Sequence, residues 1–329
     1  MDKVISKSES NTSIINKFSL PLAPVSFFAM TLGLAETGNA WRNASVIWKL
    51  PVFIGEFFEI LAVISFVWWI TVYINKWISH KTAAVSELKD PVQSSFIALI
   101  PESIILVALA IHTYNQNFAI SIFWIGSVLN LLYGAFKLSQ MWTQERPAEH
   151  VTPSLFLTYT ASIMVNALAA GVFGYISYGF TLLGIGTISW IIMDSVIMQQ
   201  LTVGGLSVRT RNFMGIYMAP SVVLFTAYLG LSGSGFNLPF AYALMGYALF
   251  ILAALTFSLK WLKQQAFAPG YWAYTFGIAT LSQGLSAFTA VNSNINGLAL
   301  TVFILMNIVT LSVMIGSVKL VIKGSYFPK

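Results

Sequence analysis

The chain has 329 residues, of which 57% are hydrophobic and only 9% charged. Soluble domains carry about 25% charged residues, so a water-covered globular surface is excluded and the composition is that of a polytopic membrane protein. The absence of cysteine excludes disulfides, thiolate metal sites, iron–sulfur clusters and cysteine nucleophiles, and the formal charge of +6 finds its reason below in where the basic residues fall.

A helix needs about 20 apolar residues to cross roughly 30 Å of hydrocarbon. Residues 1–19 are polar and basic and are expected to form a cytoplasmic N-terminal tail. The first apolar segment, Leu20–Trp41, is longer than the core of a signal peptide and lacks a small-x-small cleavage site, which predicts an uncleaved helix. It is followed by Pro51–Asn75, Ser94–Thr113, Phe118–Met141, Pro153–Tyr175 and Phe180–Leu201. The turn-rich Ser232-Gly233-Ser234-Gly235 then separates Phe213–Leu231 from Leu238–Leu262. Tyr271–Val291 and Gly297–Val321 complete a set of ten. The reading is an all-α integral membrane protein, with 20–323 a single ten-helix domain and 324–329 a short cytoplasmic tail.

The basic residues assign the two sides. Lys3, Lys7, Lys17, Lys76, Lys81, Lys89, Lys137, Arg146, Arg209, Arg211, Lys260, Lys263, Lys319, Lys323 and Lys329 fall in the tails and after even-numbered segments. Only Arg42 and Lys49 fall on the other side. An even number of spans with this bias predicts that both termini are cytoplasmic. Basic residues facing anionic headgroups account for the net charge without nucleic acid.

The segments pair as five helical hairpins. Repeat starts at Pro91, Pro153, Arg211 and Gly270 are spaced by 62, 58 and 59 residues, and the first hairpin, from Pro21, takes 70. Such a period marks repeated supersecondary units. Pro24, Pro101 and Pro220 all lie on odd segments, where a proline inside a span would bend it and free a carbonyl that lipid cannot satisfy. Odd segments also carry hydroxyls and amides: Thr158, Thr160, Ser162 and Asn166 on the fifth, and Thr275, Thr280, Ser282, Gln283 and Ser286 on the ninth. Even segments carry Trp68, Trp69, Trp124, Trp142 and Trp190, suited to lipid and its interfaces. These patterns predict an inner ring of odd helices around a central pore and an outer ring of even ones. The alternative is a poreless bundle held by small polar contacts.

Several phrases, in order and spacing over nearly the whole membrane region, carry a family resemblance. They are Leu20-Pro21, Leu32-Gly33-Leu34 and Ala40-Trp41; Pro91-Val92 with Ser95-Phe-Ile-Ala-Leu-Ile-Pro101; Met214-Gly-Ile216 with Ala219-Pro220; Ala227-Tyr-Leu229; and Tyr271-Trp-Ala-Tyr-Thr-Phe-Gly277. The chain resembles the bacterial tellurite-resistance TehA proteins and the plant slow-type anion channels, together the tellurite-resistance/dicarboxylate transporter family. The resemblance implies five hairpins around a pore, a homotrimer with a pore in each protomer, residence in the bacterial inner membrane, and a role in anion conduction or resistance to tellurite and toxic compounds. Phe276 matches the phenylalanine that occludes the pore in that family. Thr158 stands where relatives often carry proline, which removes the proline-based reason for a bend there. Glu36 and Glu102 are unexpected acids, and Asp194 matches a position that usually carries one, although Ser195 replaces the proline that normally follows.

Carboxylates inside a bilayer are costly and need a partner, water or a proton. Glu56 and Glu59, near the outer end of the second segment, read as solvated or paired with Arg42 or Lys49. Asp194 reads as a structural clamp or a transport residue, and Glu36 and Glu102 as candidate proton or cation sites. Phe276 is either a pore gate or one packing residue among 25 phenylalanines. Thr275 and Gly277 flank it as candidates for lining or bending the pore.

No Gly-x-Ser-x-Gly, His-Glu-x-x-His or P-loop motif occurs, and Gly204-Gly205 in a short turn makes no nucleotide site. His80, His112 and His150 are too scattered for a metal cluster. The expectation is therefore a non-enzyme without cofactor or metal: a passive channel for small inorganic anions such as chloride or nitrate, its partners being those ions, membrane lipid and further copies of itself. The alternative is a proton-coupled carrier of dicarboxylates, oxyanions or toxic cations. A non-transporting scaffold or sensor has little loop surface to work with.

Overall fold

Over the described residues, 20–327, the backbone of this computed structural model is 84% helix and holds no strand. The expected N-terminal tail, with Lys3, Lys7 and Lys17, lies outside these residues, as does Lys329. A short 3-10 turn, Val25–Phe28, leads into α1, Ala29–Trp48. There follow α2, Val52–Ser79, and the short α3, Lys81–Lys89. A second 3-10 turn, Gln93–Ala98, leads into α4, Leu99–Ile111, and then α5, Gln116–Thr143. Helices α6, Phe156–Tyr159, and α7, Ala161–Val172, are two parts of one bent segment before α8, Ile176–Val203. Helices α9, Met214–Tyr217, and α10, Ala219–Ser232, precede α11, Leu238–Phe257, and α12, Leu259–Leu262. The chain closes with α13, Trp272–Thr289, and α14, Asn296–Ile322.

Among the described residues, seven helical stretches are long and apolar enough to cross a membrane, and the bent pair α6–α7 makes an eighth. The first and ninth expected segments, now α1 and α13, fall short of that test. Their sequences explain why: α1 carries Glu36, Asn39, Arg42 and Asn43, and α13 is rich in threonine and serine. Both are enclosed by protein, so they are spared the requirement to be apolar all round.

The packing order gives the reason. Helices α1, α4, α7, α10 and α13 each touch the next, and α13 returns to touch α1. Helices α2, α5, α8, α11 and α14 pack outside them, each against the inner helix that precedes it in the chain. The outer helices turn large apolar side chains such as Ile64, Leu132, Ile188, Phe250 and Ile308 outward. These are the signs of a multi-pass helical membrane protein.

Pro101 and Pro220 lie inside candidate spans, as expected, each near a junction between helical pieces, whereas Pro24 does not. Pro24 is extended, with ψ 149°, and precedes the first 3-10 turn rather than bending a span. Pro101 is the third residue of α4, directly after a 3-10 turn, and Pro220 occupies the first turn of α10. Helix starts tolerate proline because the first amides have no acceptor within the helix. A 45° break separates α6 from α7, and no proline stands at it. Thr160, at φ −114° and ψ −83°, forms it. Its hydroxyl donates to the Phe156 carbonyl at 2.6 Å, and that of Thr158 donates to Leu155 at 2.7 Å, so the hydroxyls supply hydrogen bonds at the break.

Two further side chains depart from expectation. Trp69 does not face lipid: it is buried, edge-on to Phe27 and stacked 6.5 Å from Tyr326. Tyr326, in the stretch expected to be a tail, is itself buried there. Helix α3, which the sequence reading left as a connection, carries Glu87. That carboxylate accepts from Lys76 Nζ at 2.9 Å and from the Val25 amide at 2.8 Å, tying α2 to the start of the first inner helix.

Candidate pore and the residues that line it

Two cavities open from opposite ends of the inner ring. The smaller, about 210 Å³, takes side chains from every inner segment: Leu32 on α1, Glu102 on α4, Ala161 on α7, Ile216 on α9 and Phe276 on α13. The larger, about 640 Å³, again draws on every inner segment, through Asn43, Leu109, Leu168, Thr226 and Gln283. No residue lines both cavities. Phe276 is among the residues that line the smaller one.

The chemistry of the walls is mostly apolar, with cations near the mouths. Arg209 lines the smaller cavity and Arg42 the larger. Sequence reasoning missed both as cavity residues, although Arg42 stood out as one of two basic residues on the sparse side. Arg42 is held by a forked pair with Glu59, the partner expected for that acid. Asn43 fixes the same mouth by donating to the Gln283 carbonyl at 2.9 Å.

Glu36 on α1 and Glu102 on α4 are both buried in the interior, and Glu102 lines the smaller cavity. Each is only 1% exposed, and Glu36 is a charge neighbour of Glu102. Asn39 donates to Glu36 at 3.1 Å, and the Thr280 side chain adjoins the same carboxylate. One oxygen of each acid has no hydrogen-bond partner in the protein. Asp194 stands apart from them: on α8 it faces the Tyr217 hydroxyl of α9, short of a closed hydrogen bond, and not the basic residues near Arg209. It therefore lies between an outer helix and an inner one.

Most of the inner hydroxyls join helices or cap carbonyls rather than lining a path. Thr280 donates to the Phe276 carbonyl at 2.9 Å, and Thr275 to Trp272 at 2.8 Å. Asn166 points outward to Asn130 of α5, 3.4 Å away. Thr275 packs against Gly33 of α1, while a side-chain carbon added at Gly277 would meet Gly215 and Met218 in ordinary contact. Thr158 touches neither cavity. Among the described residues no group of histidine and acidic side chains could hold a metal ion.

Comparison with known proteins agrees with this architecture. The sequence profile of the SLAC1 family, described as voltage-dependent anion channel, matches residues 23–318. A tellurite resistance protein TehA homolog from Haemophilus influenzae is 28% identical over 309 residues, covering 93% of each chain. The match runs from before the first inner helix into the last outer one, and so takes in every element that lines the two cavities. The chain belongs to the SLAC1/TehA family of membrane channels and transporters.

Proposed function

We propose that this protein is a passive channel for small anions such as chloride or nitrate, with Phe276 closing the path between the two cavities. In this reading ten helices cross the membrane as five hairpins, α1 and α13 being the two polar ones. Both termini are cytoplasmic, in keeping with the basic residues, and three copies assemble, as the family resemblance implies. The observation that carries the reading is that every inner segment contributes to both cavities and that Phe276 is one of the residues lining the smaller. Arginines at the two mouths raise the local anion concentration. Beyond them, weak dipoles and the cost of dehydration favour weakly hydrated anions.

A planar-bilayer recording tests this directly. The reversal potential should follow the anion gradient and ignore replacement of the cation. A reversal potential that tracks the cation would exclude the reading.

A second reading has its own support: two interior carboxylates with unpartnered oxygens are unusual in an anion path. They suit a proton-coupled carrier of dicarboxylates, oxyanions or toxic cations, in which Glu102 and Glu36 exchange a proton during transport.

A further inference from the structure

Away from the path, a group of cations forms no ion pair, although the Asp90 carboxylate is a charge neighbour of one of them, Arg146. The ion pairs among the described residues are Arg42–Glu59 and Lys76–Glu87. Lys137, near the end of α5, is 3% exposed yet joins neither. Its ammonium donates to Ser94 Oγ at 2.9 Å and Gln140 Oε1 at 2.8 Å, both neutral acceptors. An ammonium has three donors, so one is left over. A buried cation normally has an anionic partner, because neutral dipoles alone replace its hydration poorly. Arg146, in the connection after α5, likewise bonds only neutral carbonyls, those of Pro91 at 2.7 Å and His150 at 3.3 Å.

Lys137 and Arg146 line one groove of about 950 Å³, together with Lys89 and a single acid, Glu145. With Asp90 beside Arg146 counted as well, three cations outnumber two acids and the groove keeps a net positive charge. Its other wall is of a different kind: Phe136 and Trp142 on α5, with Ile192 and Val196 on α8. All four are exposed, on the outward apolar surface of these helices. A cationic pocket that opens onto an apolar helix surface, with a tryptophan at its rim, is suited to an amphiphile whose head is an anion and whose tail is hydrocarbon.

We propose that this groove is a binding site for an anionic phospholipid, its phosphate held by Lys137 and Arg146 and one acyl chain lying along α5 and α8. A free phosphate would satisfy the cations but leave the apolar wall without a partner, which is why the lipid is the assigned occupant. The site is separate from both cavities of the candidate pore, and its test needs no measurement of flux.

The test uses the full-length protein in nanodiscs of equimolar phosphatidylglycerol and phosphatidylcholine, with lipid retained after detergent extraction counted by native mass spectrometry. Phosphatidylglycerol should be retained in preference to phosphatidylcholine. Lys137→Met and Arg146→Gln should each lower that preference about fivefold, the effect of one basic charge near a membrane surface. Lys260→Gln, outside the groove, should leave it unchanged. Arg146→Gln removes no buried side-chain pair, so it decides the matter if Lys137→Met does not fold. Equal retention of the two lipids would overturn the proposal, as would undiminished preference in a folded Arg146→Gln variant. Displacement of phosphatidylglycerol by inorganic phosphate alone would make this a site for the free anion and overturn it too.

Discussion

Gly33 on α1 lies directly against the Thr275 hydroxyl on α13, so close that a methyl group at position 33 would take the hydroxyl's place. The contact closes the ring, since α13 and α1 are the last and first inner helices. It also sets the rotation of α13: with Thr275 turned toward α1, its neighbour Phe276 is turned to the cavity.

Gly33→Val should therefore destabilise the protein by about 1–3 kcal/mol, the usual cost of overpacking a close-packed site. Thermal unfolding in detergent would show a lower midpoint. Thr275→Ala in the same chain removes the nearest atom and should restore part of the loss. If Gly33→Val alone melts like the wild type, the two helices are not held by this contact.

Phe276→Ala separates gating from packing because the two roles predict opposite results. A phenyl ring in a narrow passage excludes water and offers an anion no hydrogen bond. Its removal should raise anion conductance about tenfold or more, equivalent to lowering a barrier by about 1.4 kcal/mol. Phe276→Leu should raise it less. Were the ring only packing, truncation would cost about 3–5 kcal/mol of stability and open nothing. Low folded yield with no gain in current would identify that outcome.

Glu102→Gln keeps the shape of the side chain and removes its exchangeable charge. In a passive channel, anion current driven by the anion gradient alone should persist in the variant. In a carrier that moves a proton on this residue, uptake driven by a pH gradient should stop. Reconstituted vesicles with and without an imposed pH gradient distinguish the two.

Arg42→Met should do two separable things. It leaves Glu59 buried without its partner, which should cost about 1–3 kcal/mol; breaking a fully buried pair costs more, about 3–5 kcal/mol. The lower figure applies because the Arg42 side chain remains 20% exposed. It also removes a positive charge from the mouth of the larger cavity and should lower anion conductance at low salt more than at high salt. Adding Glu59→Gln should recover the stability but not the conductance. Recovery of both would mean that Arg42 acts on conduction only through folding.

Much of this protein was legible from its residues alone. The outer helices had to be apolar because they meet lipid, so their lengths and order could be counted, and the phrase from Tyr271 to Gly277 carried the family. The inner helices were less legible as spans, since enclosed helices may hold threonine, asparagine and glutamate without cost to insertion against lipid; α1 and α13 fell short of the apolar test for that reason. What only the tertiary structure decided was direction. Sequence cannot say which way a side chain on an inner helix turns, because the whole circumference is buried and no apolar stripe marks a face. So the hydroxyls of Thr275 and Thr280 proved to serve neighbouring helices and carbonyls, while Arg42, Arg209 and Glu102 came to line the cavities and Glu36 was buried beside them. The bend followed the same rule: proline marks a helix start by its own covalent geometry, but the 45° break at Thr160 has no proline to announce it and shows only in the folded backbone, where two threonine hydroxyls meet the local carbonyls.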